Sequence, residues 1–425
     1  MNVIAASDSA ALAGILDAAW DPPAGLVADV AEILADVRER GDAAVVDRTR
    51  RYDDEGYGAS RLRVPIPMLE AARALVTPEV AAALELARIR IARFHERQRQ
   101  PDVAYVEEDG SRYAVRRRPL RSVAVYAQRS SPACAVLMGA VPAKIAGVAR
   151  VVVLTPPRAD ALLAPVLFAC ALSGVDELYA VGGAQAIAAA AYGTGSVRSV
   201  EKIVGRGGIW TTEAKRQAFG RCGIDSLAGP AEVLIVADEG ANSEYVVGEL
   251  LAQAERRGVT RLAVLSESRS LLEAVAQLID TLDLRTLERS ELVSATISNH
   301  CRLIAANDRR ELFDVLNRFA PAYLCLQVRD ATPYLEHVMA AGIVFVGDMT
   351  PLVSGEYLAG SSRVAPTSGT ARFASSLTLS DLTHSITVVE NSSDRMTSDA
   401  DLLAALAESE GLPHHAHTAR LRSGS

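Results

Sequence analysis

From Val123 onward, short apolar, β-branched runs recur: "VAVYA", "VVVLT", "ELYAV", "EKIVG", "EVLIVAD" and "RLAVLSE". Ala-rich helical stretches separate several of them. Strands alternating with helices specify βαβ units and parallel sheets. Runs that are apolar throughout, rather than alternating, belong to sheets buried on both faces. A second such series runs from Glu232 to Gly347 and includes "YLCLQV" and "GIVFVG". The chain is therefore expected to be α/β with two parallel-sheet units, and ligands are expected beyond the carboxyl ends of the strands.

The N-terminal quarter has a different period. In "GLVADVAEILADVRERGDAAVVDRTRRYD", Val27, Val30, Ile33, Leu34 and Val37 recur at helical spacing, with Gly41 as the stop. A second helix is expected near Pro78–Gln98, where the proline suits a first turn.

Charge and composition exclude several partners. A net charge of −8 and 5% aromatic residues argue against nucleic acid and against anionic membrane surfaces, which need a basic face. No apolar run reaches the ~18 residues that a membrane helix needs. The five cysteines are scattered, without CxxC, as in a reducing cytoplasm, and the first twenty residues lack the basic lead of a signal peptide. Glycine-rich turns follow three strands, at "GGAQAIAAAAYGTGSV", "GRGGIWTTEAKR" and "LAGPAEVLIVADEGAN", yet neither GxGxxG nor GxxxxGK[ST] occurs. One loop, "SGEYLAGSSRVAPTSGTARF" from Ser354 to Phe373, is longer than compact domains tolerate without a reason.

These blocks, with "VLMGAVPAKIAGV", "ELLAQAE", "PTSGTARF" and "EGLPHHAHTARLR", resemble histidinol dehydrogenase over most of the chain. The resemblance implies two Rossmann-like parallel-sheet domains plus small helical N-terminal and C-terminal extensions. The expected boundaries are an arm at 1–22, a first α/β domain from 23–122 with 233–378, a second at 123–232, and a tail at 379–425 swapped in a homodimer. The resemblance also implies two NAD-dependent oxidations of an amino alcohol, a zinc ion holding the substrate, and an ordered active-site loop over Ser354–Phe373.

At the positions where the family carries its zinc ligands, this chain has Gln253, Arg256, Glu356 and His415. Where the family has a Glu–His proton relay, it has Ala322 and Tyr323. At the cofactor loops, Tyr126 and Gln185 match, whereas Arg129 and Arg206 stand at positions of neutral residues; Arg363 replaces a His, and Glu410 matches a substrate contact. A permanently charged Arg at a ligand position repels a metal, and Arg suits bidentate recognition of anions. The sequence thus leads us to expect an enzyme without zinc, with NAD only as an alternative. Its substrate would be a small, anionic, amino-acid-derived molecule, its chemistry acid–base, and its place specialised biosynthesis. Tyr323, His415 and Glu356 are the catalytic candidates, and Arg256, Arg363, Gln253, Glu410, Arg129 and Arg206 the substrate-binding candidates. Two other functions stay open, an NAD-dependent dehydrogenase of another amino alcohol and a non-catalytic ligand-binding homologue.

Overall fold

The computed structural model describes residues 1–129, 132–158, 163–227, 229, 231–256, 259–286 and 288–422. They form two compact units, Met1–Gln98 with Leu120–Leu382, and Arg99–Pro119 with Thr383–Ser425.

The first unit contains two six-stranded sheets. In one, the spatial order is Val3–Ala5, Cys301–Ala305, Val259–Ser266, Ala231–Ala237, Tyr323–Gln327 and Ile343–Val346, every pair parallel. In the other, the order is Arg63–Val64, Glu177–Tyr179, Arg150–Leu154, Ser122–Tyr126, Lys202–Val204 and Gly223–Ile224. Here only the short edge strand Arg63–Val64 runs antiparallel to its neighbour. The chain is α/β, as its strand pattern requires.

The period-two rule for strands explains why these segments are apolar throughout. Along Ser122–Tyr126, Val123 and Val125 enter the core on one face of the sheet, and Ala124 and Tyr126 the core on the other. Along Ala231–Ala237, Val233 and Ile235 face one core and Leu234 and Val236 the opposite one. Helices cover both faces of each sheet, so the central strands Ser122–Tyr126, Ala231–Ala237 and Tyr323–Gln327 are buried along their whole length.

The N-terminal helices do not sit where the sequence boundaries place them. Helix Ala24–Arg40 buries Leu26, Val30, Ile33, Leu34 and Val37 and ends at Gly41, whose φ of 58° needs no side chain. Its apolar face joins the core of the sheet centred on Ser122–Tyr126, and helix Pro78–Glu96 packs on the other face of that sheet. Residues 23–98 therefore belong with 123–232, not with 233–378. An amphipathic stripe dictates that a helix buries a face, not which sheet receives it. The expected helical arm likewise begins as a strand, Val3–Ala5, paired with Leu303–Ala305.

The second unit pairs Val103–Val106 with Arg112–Pro119, and Arg112–Pro119 with Thr383–Glu390, as an antiparallel sheet. Helices Ser393–Ser409 and Pro413–Arg420 complete it. Residues 99–119, expected in the first α/β domain, thus join the tail, because strand pairing links segments nearly three hundred positions apart. Among the described residues, no helix is long and apolar enough to cross a membrane.

Candidate active site

The long loop is held by hydrogen bonds within itself and to Leu227 and Gly229. The Thr367 hydroxyl donates to the Leu227 carbonyl at 2.8 Å and accepts from the Gly229 N–H at 2.9 Å. Thr370 donates to the Thr367 carbonyl at 2.7 Å, and Ser362 accepts the Val364 N–H at 3.2 Å. Within Ser354–Phe373, Ser362, Arg363, Thr367 and Thr370 are all buried. The segment opens as helix Leu352–Tyr357, where Gly355 lets the Phe345 ring lie against the backbone.

That loop brings Arg363 to Tyr323 and Arg206. Tyr323 is the first residue of its strand, is 2% exposed, and donates its hydroxyl to the Arg363 carbonyl at 2.6 Å. Arg206, in the glycine-rich turn after strand Lys202–Val204, donates from Nη1 to the Tyr323 hydroxyl at 3.3 Å. Its Nε donates to the Gly229 carbonyl at 2.9 Å. The site therefore joins the carboxyl edge of one sheet to the amino edge of the other, a geometry that the carboxyl-end rule alone does not supply. The Tyr323 hydroxyl is engaged as donor and acceptor, which makes it a positioning group rather than a free base.

Arg256, just past helix Ser243–Ala254, forms an ion pair with Glu356. Gln253, on that helix, is 1% exposed, and its Oε1 has no partner among the described residues. Burial, then the charges of Arg206 and Arg363, pulls the Arg256 guanidinium down to about 10. Burial also lowers Arg206.

Arg129 stands apart from these arginines. It donates to the Asp53 carboxylate and to the Pro157 carbonyl at 3.0 and 3.1 Å. Gln185 reaches the other Asp53 oxygen at 3.4 Å. Burial raises Asp53, and Arg129 opposes that shift. Tyr126 accepts the Gly183 N–H at 3.1 Å, and burial pushes its phenol up. So Tyr126, Gln185, Asp53 and Arg129 gather around the start of helix Gly183–Tyr192. His415 and Glu410 are exposed residues of the second unit.

Sequence reasoning missed two buried ion pairs that hold this site. Lys215 pairs with Asp225; the ammonium also donates to the Gly205 carbonyl at 3.0 Å, and Asp225 accepts the Gly205 N–H at 2.7 Å. Together they clamp a turn whose φ is 113° and where a side chain would meet the Tyr126 backbone. Arg261 donates to Glu232 at 2.7 Å, and Glu232 also accepts the Ser368 N–H at 2.9 Å. The available signal was charge inside otherwise apolar segments, Glu232 in "AEVLIVA" and Arg261 in "VTRLAVLS"; Lys215 in "TTEAK" carried no such signal.

Comparison with known proteins decides the family. The histidinol dehydrogenase family model matches residues 23–423. The chain belongs to the histidinol dehydrogenase family. It is 38% identical over 396 residues to a histidinol dehydrogenase of Listeria monocytogenes serotype 4b, covering 93% of this chain and 92% of the relative. It is 40% identical over 389 residues to that of Rhodospirillum rubrum, covering 91% and 89%. The crystal structure of histidinol dehydrogenase from Elizabethkingia anophelis superposes with a TM-score of 0.91 at 27% identity, covering 99% of this chain and 98% of that one.

These relatives overturn the expected function. Family members 38–40% identical over nine-tenths of the chain are named for histidinol oxidation, so the acid–base enzyme of specialised metabolism is withdrawn. The cofactor expectation falls with it, because the family that the resemblance describes works with NAD and zinc. Membership was legible in several long, ordered blocks, whereas the individual substitutions do not outweigh a match of this length.

The residues present fit the two cofactors differently. For NAD, helix Gly183–Tyr192 starts without a side-chain cap, and a Cβ at Gly182 would collide with Pro156. An uncapped helix N-terminus suits a phosphate, while the Gly182 side of it is filled by Pro156. For zinc, no group of three or more His, Cys, Asp or Glu among the described residues could hold a metal ion, and Arg256 lies on Glu356. Gln253, Glu356 and His415 are the oxygen and nitrogen donors present where the resemblance places a metal.

Proposed function

We propose that this protein is an NAD-dependent dehydrogenase acting on a small amino alcohol, with histidinol the first substrate to test. The family match across residues 23–423 carries this reading. NAD, when bound, accepts hydride. On this reading Gly183 and Tyr126 would hold its phosphates, with Gln185 braced by Asp53 beside them. Asp53 in turn is fixed by Arg129. The substrate would lie toward Arg206, Tyr323 and Arg363, all buried beside the Ser354–Phe373 loop.

The protein is also proposed to act as a cytoplasmic homodimer. All five cysteines are unpaired, in keeping with a reducing compartment. In the second unit, strand Thr383–Glu390 exposes Ile386, Val388 and Val389, and helix Ser393–Ser409 exposes Leu402, Leu403 and Leu406. Apolar surface of this extent in so small a unit supports a second copy as its cover. Residues 256, 322, 323 and 356 differ from those that the resemblance places at the metal and the proton relay. The assay is therefore run on protein of measured zinc content, with and without added zinc.

The test is NADH production from histidinol and NAD, followed by absorbance. Turnover in either condition supports the reading. If neither condition yields NADH, and NAD gives no thermal shift, the reading is wrong.

A further inference from the structure

Three guanidinium groups and one carboxylate share the space between the two sheets. Arg206 and Arg363 are 8% and 2% exposed, and the Arg256 side chain is 16% exposed. Glu356 pairs with Arg256. Glu232, the next acid acting on Arg206, is already held by Arg261 and the Ser368 N–H. Glu249, one turn before Gln253, accepts the Leu352 N–H.

Arg363 is the least compensated. Its carbonyl is fixed by Tyr323, but Nη1 and Nη2 are buried without a hydrogen-bond partner among the described residues. A buried charge without a partner is costly and persists only where something else supplies the counter-charge. The planar fork of Arg is matched by two oxygens of one acid group. Gln253, whose buried Oε1 is also unpartnered, adds an amide that can turn its NH2 to the same ligand. Arg363 thus lacks any hydrogen-bond partner for its Nη atoms among the described residues, and Arg206 is held by neutral groups rather than by a carboxylate of its own.

We propose that Arg206, Arg256 and Arg363 form a binding site for a small oxyanion, a carboxylate or phosphate group, in the cleft between the two sheets. Arg363 supplies the bidentate contact. Arg256, held by Glu356, and Arg206, held by Tyr323 and Gly229, complete the positive wall. The site uses residues that the dehydrogenase reading places beside the substrate, and its test needs no turnover.

The experiment is isothermal titration of the full chain at constant ionic strength, with inorganic phosphate in one series and malonate in another. Saturable binding of at least one is expected; phosphate alone marks a phosphate site, and malonate alone a carboxylate site. Arg363→Gln should weaken binding at least tenfold, Arg363→Lys should retain part of it, and Arg269→Gln, at an exposed residue paired with Glu273, should leave it unchanged. Circular dichroism confirms that each variant is folded, and Arg256→Gln serves in place of any Arg363 variant that is not. Absence of saturable binding by either anion overturns the proposal. So does binding that survives both Arg363→Gln and Arg256→Gln at full strength. A protein that makes NADH but binds neither anion would keep the dehydrogenase and lose this site.

Discussion

Tyr323 and Arg363 are tied side chain to backbone: the phenol donates to the Arg363 carbonyl oxygen at 2.6 Å. The same hydroxyl accepts from Arg206 at 3.3 Å, so one oxygen couples the long loop to the turn after strand Lys202–Val204. Tyr323→Phe keeps the ring and removes the coupling. Leaving the Arg363 carbonyl unsatisfied costs about 1–3 kcal/mol. The expected result is a lower urea midpoint with an unchanged m-value. An unaltered midpoint would show that the loop holds Arg363 without the phenol.

Lys215 and Asp225 are 1% and 3% exposed at the side chain and clamp Gly205 from both its N–H and its carbonyl. Lys215→Met leaves the Asp225 carboxylate buried and uncompensated, an effect of about 3–5 kcal/mol. The double variant Lys215→Met/Asp225→Leu removes both charges and should recover part of that loss. Denaturant unfolding of the three proteins measures it. If the double variant is no more stable than the single one, uncompensated charge is not the cause.

His95 is fully buried, with Nδ1 donating to the Ile91 carbonyl at 2.9 Å, and burial lowers its basicity. The unfolded chain takes up this proton near pH ~6.5, while the folded chain resists it. The stability from keeping His95 neutral is thus present above pH ~6.5 and is lost as pH falls through the lower folded value. His95→Leu should unfold with a shallower acid slope in this window, by at most one proton, or about 1.4 kcal/mol per pH unit. Parallel slopes for the two proteins would assign the acid sensitivity to other groups.

Leu402 and Leu406 lie one turn apart on helix Ser393–Ser409 and are 66% and 65% exposed. If they meet a second copy, Leu402→Ser/Leu406→Ser should raise the dimer dissociation constant at least tenfold, while monomer stability stays within about 0.5 kcal/mol. Sedimentation equilibrium measures both proteins. A wild-type chain that is monomeric at micromolar concentration removes the basis for the dimer.

The helix over residues 24–40 was legible because Val30, Ile33, Leu34 and Val37 repeat at its period, and Leu26 rather than Val27 completes the buried face. The parallel strands were legible because continuous apolar runs have no other use in a chain of this composition. The strand Val3–Ala5 was not, since three residues at a sheet edge carry no period. Among the site residues, Arg206, Arg256 and Arg363 were visible as unusual arginines. That Arg129 leaves them for Asp53 was not, because Asp53 lies 76 positions away.

Local apolar periodicity, written along the chain, was enough to demand helices and doubly buried strands. Water exclusion acts on each segment according to its own pattern. Which helix covers which sheet, and which charges meet in the cleft, was decided only on folding. Arg206 and Tyr323 are 117 positions apart, and Tyr323 and Arg363 are 40 apart. Hydrogen bonds of a few ångströms between such distant groups exist only after loop closure has brought the backbones together, so no local pattern can encode them.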